Sequence, residues 1–401
     1  MTSILVVSEK YWPYGGAELA THLILRLLRD EGFTITVAIG MKRIDRLDDV
    51  RYVYFPVLDA PSKVHLWSRL LYPPQSLKKL IEFSEVVYIP RISYPIIPLA
   101  KRYGKKVIVH LHNYQPINFE SVNLYPYEAN SEYNLIKDLK NSLMLEMLEY
   151  GDLKRALASS VLTPINMLCR FWLAEADAIV CVSRKQGSII SRKLPELASK
   201  IRVIYNPPPE VPLVEKKLSD PPSMLYMGGE MYTKGFHTFL RASMKLLHIE
   251  GDVKFMVTGN IGDKWKKLFD ILNRRISNSY KVLGYVLRES LLRLHSESYA
   301  LLFPSIGEEP LPYAVLESML AGTIPITSRV GGVPEIVQGT YAERMLFKPG
   351  SVDELVDRMK TVLSLSHEEL IDIGASLRES TLKKFNVSII KNQLLNVFGL
   401  E

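Results

Sequence analysis

Two carboxylates separated by seven residues stand out as side chains that could do chemistry. Within residues 303–335, Glu309 lies in a polar loop and Glu317 in an otherwise apolar run that predicts a helix. A carboxylate on a mostly buried helix needs hydrogen-bonding partners, and the hydroxyls of a sugar or ribose would supply them. The alternative is a buried salt bridge at Glu317. The first N–H groups of the same helix, at Tyr313 and Ala314, would suit a phosphate.

Glycine pairs stand at three turns that lead from a predicted strand into a predicted helix: Gly15-Gly16, Gly228-Gly229 and Gly331-Gly332. Glycine lets the backbone approach a ligand closely, and the helix that follows offers free N–H groups to an anion. Lys234 follows the second of these glycine pairs, just before the predicted helix, where a cation could neutralise a leaving diphosphate. The first turn matches neither the nicotinamide fingerprint nor the P-loop. The alternatives are plain tight turns and a surface lysine.

Strands alternate with helices along the chain, which predicts an α/β fold of open parallel sheets. The predicted strands are 3–7, 34–39, 86–89, 106–110, 178–182, 224–227, 254–257, 300–303 and 324–326. Six prolines within 206–222 exclude a packed helix or a central strand there. We therefore predict a first domain at 1–206, a linker at 207–222, a second domain at 223–384, and a C-terminal helix at about 385–401 that packs on the first domain. Ligands bind beyond the carboxyl ends of such strands, so the loops should surround an interdomain cleft.

The composition is that of a folded chain long enough for two domains. With 401 residues, 47% of them hydrophobic and 23% charged, the sequence is not that of a disordered protein. Its start lacks the features of a signal peptide, and no run of about 18 apolar residues occurs. Cys169 and Cys181 match neither a redox nor a zinc spacing. We therefore expect a cytoplasmic protein, either free or peripheral at the inner membrane face.

The net charge of +7 originates in the first half of the chain. Residues 60–106 hold nine Lys and Arg side chains against two Glu. Such a region would attract an anionic membrane, and the stretch 64–71 mixes the aromatic, aliphatic and basic residues that suit docking. The alternative is a solvated basic face with an ordinary surface helix. A nucleic-acid partner is not expected, because the basic residues are not interleaved with aromatics at the spacing of any binding module.

Taken together and in order, these motifs resemble the retaining glycosyltransferases of family four. That family has the GT-B architecture, in which two Rossmann-like domains face each other across a cleft. The resemblance covers nearly the whole chain. The matching segments are Gly15-Gly16, His112-Asn113, residues 203–206, Lys234-Gly235, the pair Glu309 and Glu317, and residues 331–335.

The resemblance implies roles residue by residue. It places His112, Glu309 and Lys234 in catalysis, with His112 near the acceptor. The donor-binding set that it implies is Gly15, Gly16, Lys234, Glu309, Leu311, Tyr313, Ala314, Glu317, Gly331 and Gly332; the acceptor side is Asn113 and Glu18. It further implies transfer, with retention, from a nucleoside-diphosphate sugar, a UDP- or GDP-sugar, to a hydroxyl of a sugar or lipid-linked acceptor. Neither a metal nor another cofactor is implied.

Two positions depart from the family pattern. Gly229 stands where the family usually has Arg, so one of two cations on the diphosphate is missing unless Arg288 or Arg329 replaces it. Asn113 stands where an acidic residue is common, next to His112. Two alternatives therefore stay open: a nucleotide-sugar epimerase of the same fold, and a non-catalytic subunit that binds nucleotide sugars.

Overall fold

The computed structural model describes residues 2–11, 15–41, 46–124, 133–213, 215–276 and 279–399, apart from the side chains of Arg288 and Glu289. Pro13 and Tyr14, which precede the first glycine pair, lie outside these ranges. Within them the chain forms two parallel sheets with helices on both faces.

The first sheet contains seven parallel strands. They are β1 (Ser3–Ser8), β2 (Thr34–Ile39), β3 (Val50–Tyr54), β4 (Val86–Ile89), β5 (Lys106–Leu111), β6 (Ala178–Cys181) and β7 (Ile201–Val203). Their spatial order is β3-β2-β1-β4-β5-β6-β7, and in the centre of the sheet Ile4 lies opposite both Ile35 and Val86. The order reverses between β1 and β4, which is where a doubly wound sheet opens a crevice for a ligand.

The second sheet contains six parallel strands with the same kind of reversal. They are β8 (Ser223–Tyr226), β9 (Lys254–Thr258), β10 (Tyr280–Gly284), β11 (Ala300–Phe303), β12 (Ile324–Ser328) and β13 (Leu346–Phe347). Their order is β10-β9-β8-β11-β12-β13, so the crevice here lies between β8 and β11. The central strands β8, β11 and β12 are fully buried, as expected for strands covered by helices on both faces.

Sixteen helices are described around the two sheets. They are α1 (Gly16–Asp30), α2 (Lys63–Leu70), α3 (Gln75–Phe83), α4 (Ile96–Arg102), α5 (Leu135–Tyr150), α6 (Leu153–Leu162), α7 (Met167–Ala174), α8 (Arg184–Lys193), α9 (Phe236–Glu250), α10 (Asp263–Arg275), α11 (Arg288–Glu297), α12 (Tyr313–Leu320), α13 (Val333–Val337), α14 (Val352–Leu363), α15 (His367–Lys384) and α16 (Val387–Phe398). Short 3₁₀ turns occupy Pro56–Leu58, Thr163–Asn166, Pro195–Lys200 and Tyr341–Met345.

The last helix, α16, packs against the first sheet. The Phe398 ring lies edge-on to Tyr88 and to Phe33, with centroids 5.2 and 6.4 Å away. Lys391 on the same helix pairs with Glu31 just after α1. The C-terminal end of the chain therefore crosses back from the second sheet to the first.

The segment expected to dock on a membrane forms α2, but its apolar side chains face inward. Leu66, Trp67 and Leu70 are buried, and Trp67 Nε1 donates to the carbonyl of Ile92 at 2.8 Å. The expected membrane face of this helix is therefore part of the protein core. The basic region around it is also partly internal, since Arg91 pairs with two carboxylates.

Candidate donor site in the interdomain cleft

The carboxyl ends of both sheets border one cavity of about 800 Å³. The first half of the chain contributes Gly15, Gly16, His22, Arg26 and His112 to its walls, among others. The second half contributes a larger set that includes Lys234, Glu309, Leu311, Tyr313, Ala314 and Glu317. Nine of the thirteen residues to which the resemblance gives a role therefore line one cleft.

The first glycine pair lies where β1 leads into α1. Gly15 is the N-cap of the helix, and the first residues of the helix, Gly16 and Ala17, line the cavity. A Cβ atom built on Gly16 would lie 3.7 Å from Tyr313 Cδ2, on the first turn of α12 in the other half. Two helix starts therefore meet here across the cleft, and both present N–H groups that have no partner within their helix.

Lys234 and Glu309 form an ion pair on the cavity wall. Lys234 Nζ lies 2.6 Å from Glu309 Oε1, and Ser305 Oγ donates to the same carboxylate oxygen at 3.3 Å. The lysine is positioned by Gly235, which adopts φ +74° and starts α9. A Cβ atom on Gly235 would lie 1.8 Å from the carbonyl oxygen of Pro304, so glycine is required where the loops after β8 and β11 touch.

The glycines of the third pair lie behind Glu309. Gly332 N–H donates to the Glu309 carbonyl at 2.8 Å, and a Cβ atom on Gly331 would lie 1.9 Å from that same oxygen. Neither Gly331 nor Gly332 lines the cavity. We expected them to contact the donor directly; the structure instead assigns their close approach to the backbone that carries Glu309.

The neighbouring carboxylate, Glu308, is a residue that the sequence analysis missed. Its side chain is buried and accepts a hydrogen bond from Gly331 N–H. Burial raises its pKa, an effect that this hydrogen bond opposes. The sequence held one indication of this second carboxylate, the adjacent acids Glu308 and Glu309. Because only one of two adjacent side chains can face the cavity, the other has to point elsewhere.

Glu317 lies on α12 between buried apolar neighbours, Val315, Leu316 and Met319, and it lines the cavity. Pro312 is the N-cap of α12, so Tyr313 and Ala314 provide the first N–H groups of the helix. Tyr313 anchors the helix by donating from its hydroxyl to the carbonyl of Pro207 at 2.8 Å. This bond joins the donor-side helix to the segment between the two sheets.

His112 follows β5, is partly buried and lines the cavity, whereas His110 is fully buried and does not reach it. Their rings stack at 4.4 Å, and Tyr88 Oη lies 2.9 Å from His110 Nδ1. Burial lowers the pKa of His110 to about 3. Burial, with the nearby His110 and Arg91, holds the pKa of His112 well below its usual value. The imidazole beside the cleft is therefore neutral.

The two residues expected on the acceptor side do not line the cavity. Glu18 pairs with Arg91, which also contacts Glu9 at 2.8 Å. Asn113 Oδ1 accepts a hydrogen bond from Gln115 N–H at 2.9 Å, so this side chain stabilises the loop that follows β5. Both act on the shape of the loops around His112 and Gly15. A spacing pattern could not distinguish this from direct contact.

Gly229 has a backbone reason for being glycine. It adopts φ +57°, and a Cβ atom there would lie 2.8 Å from the carbonyl oxygen of Asn260. An arginine therefore does not fit this loop without a backbone shift. Of the two replacements considered, Arg329 is exposed away from the cavity, and the Arg288 side chain lies outside the described residues.

Other cavity residues were not singled out in the sequence. Arg26 lines the cavity from α1 and contacts Glu210 at 2.8 Å. Thr258, at the end of β9, also lines it, as do Gly259, Tyr285 and Val286 from the loops after β9 and β10. Among the residues that the structure describes, no group of three or more His, Cys, Asp or Glu side chains is placed to hold a metal ion.

Two family models match the chain in succession. The model for glycosyltransferase family 4 matches residues 14–208, and the model for glycosyl transferases group 1 matches residues 212–377. The chain belongs to the family-four, group 1 glycosyltransferases. This assignment agrees with the two-sheet fold and with the cleft between its halves.

Relatives of this glycosyltransferase are distant in sequence. An uncharacterized glycosyltransferase of Methanocaldococcus jannaschii is 27% identical over 45% of each chain, so the match spans less than half of that protein. A protein from the cps region of Klebsiella pneumoniae is 21% identical over 99% of each. The 2-deoxystreptamine N-acetyl-D-glucosaminyltransferase of Niallia circulans is 22% identical over 44% of this chain and 45% of its own.

Solved structures show that the glycosyltransferase has the GT-B fold. Anabaena HepE, in complex with UDP and glucose, superimposes with a TM-score of 0.66 at 16% identity over 99% of each chain. Sucrose-phosphate synthase from Thermosynechococcus elongatus gives a TM-score of 0.70 at 15% identity, over 99% of this chain and 98% of the other.

Proposed function

We propose that this glycosyltransferase moves a hexose from a UDP-sugar to a hydroxyl acceptor, on a sugar or a lipid-linked glycan, with retained anomeric configuration. The observation that carries the proposal is the Lys234–Glu309 pair, which shares one cavity with two helix starts. A lysine and free N–H groups suit a diphosphate, and a carboxylate suits sugar hydroxyls. HepE, a relative in fold, is in complex with UDP-glucose, which supports this choice of donor.

In the proposed step, the bond between sugar C1 and the phosphate oxygen breaks as the acceptor oxygen bonds to C1 on the same face. The acceptor proton passes to the leaving phosphate, so no side chain acts as a nucleophile. Lys234 and the starts of α1 and α12 stabilise the charge that develops on the diphosphate. Glu309 orients the sugar, Glu317 holds the ribose, and the neutral His112 faces the reacting sugar as a hydrogen-bonding group.

Gly229 favours a second candidate, a subunit that binds nucleotide sugars without turnover. The loop geometry leaves no space for the usual arginine, so one stabilising cation is absent from the transition state. An epimerase of the same fold is a third possibility, and it would convert a donor with no acceptor present. Product analysis separates all three.

The first experiment is a thermal-shift panel with UDP-, GDP- and ADP-glucose. We expect the UDP-sugar to raise the melting temperature of the wild type, and Glu317→Ala to lose that shift. Glu379→Ala, an exposed carboxylate on α15, is the matched control and should retain it. A shift with GDP-glucose in place of UDP-glucose would show that the donor carries guanine and not uracil. No shift with any donor would contradict the proposed site.

The second experiment identifies the product. Purified protein is incubated with the stabilising donor and a panel of sugar and glycolipid acceptors, and the new linkage is assigned by NMR. An anomeric configuration equal to that of the donor supports the proposal. An inverted linkage contradicts retention, conversion without an acceptor indicates an epimerase, and tight binding without turnover indicates a binding subunit.

We also infer that the protein works in the cytoplasm. Cys169 and Cys181 are free thiols buried in the first half, and burial raises the pKa of Cys181 to about 12. Unpaired, unreactive thiols fit a reducing compartment. A fractionation of cells that express the protein, probed with an antibody, tests the location.

A further inference from the structure

Helix α5 buries several polar side chains and exposes several large apolar ones. Asp138, Asn141, Ser142 and Glu146 are buried beside Leu145. The exposed large side chains are Ile136, Met144, Met147, Leu148 and Tyr150. A surface helix in water normally turns most of its large apolar side chains inward, so the exposed set is a candidate contact surface.

The buried polar side chains are satisfied, so the reversal is built into the fold. Asp138 accepts from Phe119 N–H at 3.3 Å, and Asn141 donates to the Val122 carbonyl at 3.4 Å. Ser142 Oγ accepts from Thr163 Oγ1 at 3.0 Å. Rotating the helix to bury its exposed apolar side chains would break these bonds and deprive the Phe119 N–H and the Val122 carbonyl of these partners.

The next two helices continue the apolar surface. Leu153, Leu157 and Val161 lie four residues apart along α6, and all three are exposed, Val161 by 77%. Leu168 and Phe171 extend the exposed surface on α7, with Phe171 exposed by 67%. We name the exposed apolar side chains of α5, α6 and α7 the hairpin face. No other stretch of similar length in the described chain exposes as many large apolar side chains.

The stretch Leu153–Ala174 is long and apolar enough to cross a bilayer, with a mean hydropathy of 1.2, and 39% of its most apolar window is buried. Its inner side, however, packs on the protein through Ser159, Thr163 and Trp172, and Trp172 contacts Trp67 at 5.5 Å between ring centroids. A helix held in this way lies along a membrane interface and does not span it.

The charges at the hairpin face are mostly positive. Its exposed basic side chains are Lys137, Lys140, Lys154 and Arg155, of which Arg155 pairs with Glu146, and its exposed acidic ones are Asp152 and Glu175. The carboxylates of Asp138 and Glu146 point inward instead. An apolar surface with a basic surround is complementary to a bilayer that carries anionic lipid.

We propose that the hairpin face docks the protein on an anionic lipid bilayer. The exposed leucine, valine and phenylalanine side chains enter the boundary between headgroups and acyl chains, and the lysines contact lipid phosphates.

The hairpin face lies next to the donor cleft. Glu149, on the last turn of α5, accepts from Thr233 N–H at 3.1 Å, and Thr233 directly precedes Lys234. The loop before the hairpin also reaches the cleft, since Asn123 O accepts from Glu308 N–H at 2.7 Å. A docked protein would therefore hold its cleft close to the membrane, where a lipid-linked acceptor would carry its hydroxyl. This last step alone rests on the proposed function.

The test is co-sedimentation of the purified full chain with vesicles of phosphatidylcholine, with and without phosphatidylglycerol. The wild type should bind the anionic vesicles, and salt should weaken that binding. Each of Leu157→Asp, Val161→Asp and Phe171→Asp should weaken binding roughly tenfold or more, because each removes one buried apolar side chain from the lipid. Leu382→Asp, an exposed leucine on α15, is the matched control and should bind like the wild type.

Two further arms make the result decisive. Lys140→Glu combined with Lys154→Glu should weaken binding to anionic vesicles only. No binding by the wild type, or unchanged binding by the aspartate variants, would overturn the proposal. So would a concentration-dependent dimer, seen by size exclusion, that the same variants convert to monomer, because a second copy would then cover the face. The donor-induced thermal shift is measured on every variant and should not change, so failure of docking is distinguishable from failure of the proposed reaction.

Discussion

Lys234 Nζ lies 2.6 Å from Glu309 Oε1, although the two residues come from loops that follow different strands, β8 and β11. The contact joins the cation proposed for the diphosphate to the carboxylate proposed for the sugar. A donor that binds both groups exchanges this ion pair for two new contacts. Until a donor binds, the pair keeps two half-buried charges compensated.

Replacing Lys234 should impair the reaction more than it impairs binding. We expect Lys234→Met to lower kcat by about 100-fold or more, because it removes charge stabilisation that grows as the diphosphate leaves. Lys267→Met, an exposed lysine on α10, is the control for loss of one positive charge. Steady-state kinetics with a UDP-sugar measures the effect. If Lys234→Met raises KM and leaves kcat unchanged, Lys234 stabilises the bound substrate and the transition state equally, which would contradict this prediction.

Replacing Gly229 should destabilise the second half without improving activity. Gly229→Ala places a Cβ atom 2.8 Å from the Asn260 carbonyl on a backbone with φ +57°. Gly104→Ala isolates the backbone effect, because Gly104 has φ +68° and nothing within 4 Å of its Cβ position. We expect the free energy of unfolding, measured in urea, to fall by about 1–2 kcal/mol in the control and by more in Gly229→Ala. Equal losses of stability in the two variants would show that the loop around Gly229 shifts to accommodate the new Cβ atom. A Gly229→Arg variant that is more active than the wild type would refute the steric explanation.

The buried histidines should make the protein sensitive to mild acid. In the folded state the pKa of His110 is about 3 and that of His112 is well below its usual value, whereas an unfolded chain takes up protons near pH 6.5. The free energy of unfolding should therefore fall as the pH drops below about 6.5, by up to ~1.4 kcal/mol per pH unit for each histidine.

His112→Gln tests this slope directly. The variant should lose about one histidine's share of the pH dependence below pH ~6.5 and run parallel to the wild type above pH ~7.5. Urea unfolding at a series of pH values is the measurement. An unchanged slope in the acid range would mean that His112 takes up its proton while folded.

Lys216 should show a pH dependence of the same sign as the histidines, but in a more alkaline range. Its Nζ donates to the His295 carbonyl and to Thr323 Oγ1, both at 2.7 Å, and burial lowers its pKa to about 7 from 10.5. Between those two values the unfolded chain binds a proton that the folded protein lacks, so the stability contribution of Lys216 rises with pH and is lowest below pH ~7.

Comparison of Lys216→Met with the wild type isolates that contribution. The wild type should gain stability relative to the variant as the pH rises from about 7 to about 10. Lys217→Met, an exposed neighbour, is the charge-matched control. If the free energies of unfolding of Lys216→Met and the wild type differ by the same amount at every pH, the lysine remains charged in the interior.

The sequence predicted the central strands and missed the outer ones. The four strands that it did not predict, β3, β7, β10 and β13, are the outermost strands of the two sheets. A central strand is buried on both faces and reads as a continuous apolar run, as in β4 and β11. β3 and β7 have partly exposed residues throughout, and β13 has only two residues, so no such run marks them.

The alternation of strands and helices, the proline-rich junction and the residues at strand ends were predictable from the amino-acid order, because they depend on local periodicity and on the conformational limits of glycine and proline. The residues that share the cleft were set by the packing of the folded chain. Packing paired Lys234 with Glu309, placed Gly331 behind Glu309, and turned Glu18 toward Arg91. It also left several large apolar side chains of α5 exposed. Side-chain direction depends on contacts between segments far apart in the chain, and spacing along the sequence does not encode them.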